Sequence, residues 1–263
     1  MSTALRARND DVELAYELLG EGPPLLLIQG LGYGGRGWGR VLEVLAEDFT
    51  VAAFDNRGFG ASDVPPGPYS TRELAEDARS VLDAAGFGRA HVLGASLGGM
   101  VAQELALAHR ERVDKLVLAC TTPGGASSFP MPAQTASLML EAAELPPEVA
   151  LRRFVENALG EGSSAELVQQ IVAYRTANPP DLGGWQSQAA AGATHDAYDR
   201  IGRIAAPALV LHGTEDAVVD PRNADLLVKR IPGARVELLP GAGHLLFWEE
   251  PDRFAQLVRD FLR

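Results

Sequence analysis

The sequence predicts an α/β fold: an eight-stranded, mostly parallel sheet flanked by helices and interrupted by a helical insertion. Three observations predict it: short apolar runs bounded by turn residues, helical patterns alternating with them, and a break in that alternation between Thr121 and Ala206. Parallel strands need long crossovers, and a helix is the usual filling. The 263 residues, 46% of them hydrophobic, suffice for one domain with one insertion.

The elements follow in chain order. Thr3 to Arg8 and Val12 to Leu18 are extended segments around Asn9-Asp10-Asp11, residue types that suit a tight turn, so a hairpin leads. Leu25 to Gln29, Thr50 to Asp55, Ala90 to Gly94, Lys115 to Cys120, Ala208 to His212 and Arg235 to Leu239 have the length of buried strands. Arg72 to Ala85 sets Leu74, Ala78, Val81 and Leu82 on one helical face, and Leu97 to Ala108 does the same with Val101, Leu105 and Ala108. Between the strands ending at Cys120 and starting at Ala208, helices are expected at Ala133–Glu144, Glu148–Leu159, Ala165–Ala177 and Leu182–Gly192. Residues 122–205 therefore read as a helical cap over a core made of 1–121 and 206–263, placed where α/β sites form.

Composition narrows the function. A formal net charge of -12 repels nucleic acid and acidic membrane surfaces on average. Charges at Arg6, Arg8, Asp10 and Asp11 interrupt what an export signal needs, and no apolar run approaches a membrane span. Cys120 is the single cysteine, which excludes an internal disulfide and a thiolate-cluster metal site. The expectation is a cytoplasmic protein with no membrane or nucleic-acid partner; nothing in the chain addresses its oligomeric state.

Gly94-Ala95-Ser96-Leu97-Gly98 carries the chemistry. It matches G-x-S-x-G between a strand and a helix, where small flanking residues allow a sharp turn that presents the hydroxyl at a helix N-terminus. The bland alternative is an ordinary glycine-rich turn. A serine needs a base. Of five histidines, His91, His109, His195 and His212 lie in or beside elements, whereas His244 sits in the flexible turn Gly241-Ala242-Gly243-His244 after the last strand. An acid should orient that base. Glu215 and Asp216 both follow the strand Ala208–His212, and either could be a solvated loop residue.

With these residues in place the chain resembles the α/β-hydrolase superfamily over nearly its whole length, in the order serine, acid, histidine. Asp55-Asn56-Arg57-Gly58-Phe59-Gly60-Ala61-Ser62 looks like its D-x-R-G-x-G-x-S loop, Gly213 to Asp216 like its G-x-x-D acid turn, and Gly243-His244 like its G-H turn. The resemblance implies an α/β-hydrolase fold with helices on both sheet faces, and a triad of Ser96, Asp216 and His244. It gives structural roles to Asp55, Arg57 and Ser62. It also implies that Gln29-Gly30-Leu31-Gly32 is an oxyanion loop, with the backbone N–H groups of Leu31 and Leu97 as donors. Many relatives carry histidine where this chain has Gln29. Serine at position 96 sets the chain apart from haloalkane dehalogenases and epoxide hydrolases, which use aspartate there.

The implied activity is hydrolysis of a carboxylic ester, of the carboxylesterase type, without cofactor or metal. Trp38, Met100, Trp185 and Leu245 are expected to line an apolar substrate pocket, though each could equally be core. The tail of the insertion also resembles 3-oxoadipate enol-lactonases, which need a cation for the substrate carboxylate; Arg152, Arg153, Arg175, Arg200 and Arg203 are available. Lactone hydrolysis is thus the alternative, and a slow-turnover receptor on the same scaffold a third. Gly30, Gly32 and Gly35 with Asp55 also satisfy a dinucleotide fingerprint, but that reading leaves the three other motifs unexplained.

Overall fold

In the computed structural model, which describes residues 5–142 and 144–263, β1 (Leu5–Asn9) and β2 (Val12–Leu19) form the leading hairpin. Asn9 pairs with Val12, so Asp10 and Asp11 make a two-residue turn, and Asp10 adopts φ +51, which a short polar side chain tolerates. The expected start of the hairpin, at Thr3, lies outside the described residues.

The hairpin joins the sheet through β2, antiparallel to β4 (Thr50–Phe54). The remaining strands run parallel: β3 (Pro24–Ile28), β5 (Ala90–Ala95), β6 (Val113–Ala119), β7 (Ala208–Gly213) and β8 (Arg235–Leu239). The order β1-β2-β4-β3-β5-β6-β7-β8 makes eight strands. Both faces are covered, which is why the central strands read as unbroken apolar runs. Successive residues supply opposite cores: Leu26, Ile28, Val92 and Leu118 face one, Leu25, Leu27, Leu93 and Val117 the other.

Helices α1 (Arg40–Leu45), α2 (Thr71–Ala84) and α3 (Leu97–Ala108) precede the insertion. Ser70 starts α2 through a capping box, its Oγ accepting from Glu73 N while Glu73 accepts from Ser70 N at 2.9 Å. Losing such a cap costs about 1 kcal/mol. Leu74, Ala78, Val81 and Leu82 are buried as predicted. Helix α3 departs from the one-sided expectation: it is buried around most of its circumference, Gln103 and Glu104 included, whereas Ala108 is exposed. It packs against α2 as well as the sheet, which covers most of its first three turns and leaves Met100 and Leu107 partly buried.

The insertion contains α4 (Ala133–Ala142), α5 (Pro147–Asn157), α6 (Ala165–Ala177) and α7 (Leu182–Ala193). Its two ends are stitched together, Gly125 N donating to His195 O and Ala197 N to Pro123 O. Val155, Leu159, Val168 and Ile171 extend one core while Ala191 joins the other, so the insertion is seated on the sheet layer. The chain closes with α8 (Arg222–Arg230), α9 (Leu246–Glu249) and α10 (Pro251–Leu262). Helix α10 buries Phe254, Ala255, Val258 and Leu262 at helical spacing, each large side chain contributing about 1.5–3 kcal/mol.

Candidate active site

Ser96 is the single residue between β5 and α3, at φ +55 and ψ −120. A non-glycine residue held there stores about 1–3 kcal/mol of strain. The flanking glycines permit it: a Cβ on Gly94 would lie 2.2 Å from Gly98 O, and one on Gly98 would lie 2.0 Å from Ile28 O. Ser96 N donates to Ala119 O at 2.9 Å, pinning the turn to the neighbouring strand.

The loop after β7 carries Asp216, whose carboxylate is saturated. Oδ1 accepts from Val218 N and Val219 N at 2.8 and 2.9 Å; Oδ2 lies 2.8 Å from His244 Nδ1 and 3.0 Å from His212 Nε2. Burial alone would raise this carboxyl, but the two imidazoles and their hydrogen bonds outweigh it and hold the group well below the ordinary carboxylate range. Of the two acids left open by residue type, Asp216 is the one that meets the imidazole. Glu215 instead accepts from Glu161 N at 2.8 Å.

His244 is held by its backbone, its N–H donating to Ala158 O at 2.8 Å. Glu249, not singled out by any sequence pattern, fastens the same turn: Oε2 accepts from Gly243 N at 2.9 Å, while Oε1 accepts from Gly160 N at 2.7 Å and Ser163 Oγ at 2.9 Å. Burial pushes the Glu249 carboxyl up. The histidine turn is therefore tied to the end of α5. It also packs on the acid turn, where a Cβ on Gly213 would lie 2.2 Å from Ala242 O.

Ser96 and His244 line one cavity of about 250 Å³. No hydrogen bond joins the two side chains among the described residues, so the relay is closed between acid and base and open between base and hydroxyl. Such contacts commonly tighten only when substrate binds. Leu31 lines the same cavity and Leu97 opens α3; neither backbone N–H donates a hydrogen bond among the described residues. The loop bearing Leu31 is well supported. Gln29 Oε1 accepts from Gly30 N at 2.9 Å, Asn56 Nδ2 donates to Gln29 O at 3.0 Å, and Gln188 of α7 accepts from Gly32 N while donating to Arg57 O at 2.7 Å.

Trp185, Leu245, Met139 and Phe154 line the cavity. Trp38 and Met100 do not, and these two expectations are corrected. The short turn Gly35–Trp38 swings Trp38 into the core against Phe247 and Phe254, at ring separations of 5.0 and 6.4 Å and with no exposure. Met100, one turn into α3, faces α7, where its sulfur would lie 3.9 Å from a Cβ on Gly192. Of the five arginines named as possible cations, only Arg175 borders this cavity. Arg152 pairs with Glu156, Arg153 with Glu141 and Arg200 with Glu104, while Arg203 lines a separate groove beside α2 and α3.

Asp55 accepts from Gly35 N at 2.9 Å and Ala61 N at 3.0 Å, and its backbone O accepts from Ser62 Oγ at 2.6 Å. The acid of the dinucleotide fingerprint is thus consumed in bracing its own loop. Cys120, Asp216 and His244 place ligand-type atoms within 4.8 Å of one another. They do not suit a metal: burial pushes the Cys120 thiol well up, away from the thiolate a metal requires, and Asp216 already serves two imidazoles. Among the described residues no helix is long and apolar enough to cross a membrane.

A family model described as alpha/beta hydrolase fold matches residues 23–251. The chain is 30% identical to a putative carbamate hydrolase of Azorhizobium caulinodans, over 97% of each. Among solved structures it resembles an enol-lactonase of Burkholderia xenovorans (28% identity, TM-score 0.85, 98% of this chain and 99% of the other). It also resembles a malate-bound thermophilic esterase of Thermogutta terrifontis (28%, 0.83, 99% and 97%).

Proposed function

The chain belongs to the α/β-hydrolase fold family, and from that membership we propose that it is a serine hydrolase cleaving a carboxylic ester or lactone of small to medium size. The observation that carries the reading is the meeting, at one cavity, of a strained serine and a histidine already bonded to a buried carboxylate. Ser96 Oγ attacks the substrate carbonyl as His244 takes its proton. Asp216 holds Nδ1–H and stabilises the imidazolium; its lowered pKa keeps it a carboxylate throughout. The free N–H groups of Leu31 and Leu97 receive the oxyanion, and each donor of this kind is worth about 3–4 kcal/mol in the transition state.

His244 then protonates the departing alcohol, and water repeats the sequence on the acyl-enzyme. In an ester the alcohol leaves; in a lactone it stays tethered to the acyl chain. The same residues serve both, so the cap rather than the triad selects between them. Apolar cap residues such as Trp185 and Phe154 support a largely apolar substrate.

Replacing Ser96 with Ala should lower hydrolysis of an activated aryl ester by at least about a thousandfold, and abolish labelling by a fluorophosphonate probe. Wild-type rates in Ser96→Ala would overturn the proposal.

A further inference from the structure

We propose that His212 is a positioning residue for the triad carboxylate: its Nε2–H shares Asp216 Oδ2 with His244, fixing that oxygen in place and drawing off part of the charge that would otherwise favour the imidazolium. This inference rests on the serine-hydrolase reading and concerns how its acid and base are tuned.

His212 is the penultimate residue of β7, four before Asp216, and is fully buried. Its row on the strand is apolar, since Ala208 and Val210 join the core on that side of the sheet. A histidine there loses hydration that leucine or phenylalanine would not, so only the hydrogen bonds it makes can offset the cost. Nε2 lies 3.0 Å from Asp216 Oδ2 and 3.1 Å from Val219 O. Carboxylate and carbonyl oxygens only accept, so Nε2 carries the proton and donates to both. Nδ1 has no partner among the described residues. The polar contacts of the ring are therefore all on the side of the acid turn.

Those contacts act on the carboxylate twice. Val219, whose O accepts from His212, is also one of the two backbone donors to Oδ1, so the imidazole braces the strand of loop that supplies them. His212 also brings the donors on Asp216 to four, alongside Val218 N, Val219 N and His244 Nδ1. Each further donor stabilises the carboxylate and leaves less of its charge to favour a protonated base. The acid limb of the pH–rate profile should accordingly extend to lower pH with His212 than without it.

Other titratable groups around the acid do not supply this contact. Cys120, just after β6, faces Asp216 with a thiol pushed well up by burial. Glu249 of α9 is occupied by Gly160 N, Ser163 Oγ and Gly243 N, and Asp220, further along the loop, is bonded by Arg222. None of them is altered when His212 is replaced, so a difference between variants isolates the imidazole.

The test compares wild type with His212→Phe, which keeps a planar ring without a donor, and with His212→Gln, whose amide N–H restores one. On an activated aryl ester, the midpoint of the acid limb of kcat/KM should rise by about half to one pH unit in His212→Phe, with turnover on the plateau lowered by less than about tenfold. His212→Gln should bring the midpoint back to within about 0.3 unit of wild type. A limb that stays in place in His212→Phe, whether or not the plateau falls, would mean that the ring only packs behind the acid turn, and would overturn the proposal. A limb displaced equally in both variants would do the same. Wild type gives a second measurement that needs no phenylalanine variant: in ¹⁵N spectra of histidine-labelled protein, with His212→Gln identifying the signals, His212 should carry its proton on Nε2. A proton on Nδ1 instead would overturn the proposal.

Failure of the underlying reading looks different. If wild type hydrolyses no ester, a titration of the His244 ring by NMR that moves upward in His212→Phe would retain the positioning role and discard the hydrolase. Ester hydrolysis with an acid limb indifferent to His212 would do the reverse.

Discussion

Among the described residues three arginines lie over tyrosine rings, and two of them, Arg57 and Arg175, have opposite surroundings. Arg57, in the loop after β4, is 5.7 Å from the Tyr69 centroid and bonded by Asp77 at 2.5 and 2.7 Å, with Glu73 at 3.9 Å. Arg175, at the cavity, lies over its ring and has no hydrogen bond or ion pair among the described residues. The same contrast runs through the site. Asp216 has every lone pair occupied, while the N–H groups of Leu31 and Leu97 have no partner among the described residues and Ser96 is held in a strained turn. Groups that must stay still are saturated; groups left unsatisfied at a cavity wall are those a ligand completes.

The sharpest way to break this division is at Asp216. Asparagine there cannot hold the Nδ1 proton of His244 as a carboxylate does, and it faces two imidazoles with half the acceptor capacity. Asp216→Asn should lower kcat for an activated ester by about 10⁴-fold. A rate within tenfold of wild type would show that the saturated carboxylate is scaffolding alone. The next largest effect belongs to Asp77, whose side chain is fully buried against Arg57. Asp77→Asn strands a buried guanidinium and should lower unfolding free energy by about 3–5 kcal/mol in urea titrations. Turnover per folded molecule should stay within a few fold. Ser96→Ala should do the opposite, removing activity at no cost in stability.

Much of this was legible before any coordinates. Strand limits inferred from apolar runs agree with the sheet to within two residues; for the central strands this is because burial on both faces requires them to be continuously apolar, whereas the mostly exposed edge strand β8 was marked by its turn boundaries. The elbow was legible because its glycines answer local backbone contacts, and local constraints leave local patterns. What escaped depends on distant partners. Trp38 follows a glycine-rich loop as a pocket aromatic would, and only the packing of α10 shows it to be core. Glu249 and Gln188 bond groups scores of residues away and form no motif. Arg175 could not be told from four other arginines until three of them were found paired with carboxylates and the fourth, Arg203, in a separate groove.

His195 tests whether a missing partner alone marks a site. Its ring is buried at the base of the insertion, with Nδ1 3.0 Å from Thr71 Oγ1 and Nε2 unpartnered among the described residues, yet it is not part of the lining of the Ser96–His244 cavity. Burial pushes its pKa down to about 4, against the opposing pull of Glu104, 3.8 Å away, and of Asp196; Arg200 and Arg72 reinforce the drop. A histidine with a depressed folded pKa stabilises the fold fully above its unfolded pKa of about 6.5, and that contribution is lost as pH falls from there toward about 4. Between pH 7.5 and 4.5, wild type should therefore lose about 2–3 kcal/mol more unfolding free energy than His195→Asn, whose side chain cannot take up a proton. Ester turnover at neutral pH should be the same in both within a few fold. Equal acid sensitivity would mean that the ring is solvated and paired by water. A large loss of turnover would mean that an unsatisfied atom far from the cavity wall reports on function as well, and the division drawn from Arg57 and Arg175 would no longer separate framework from site.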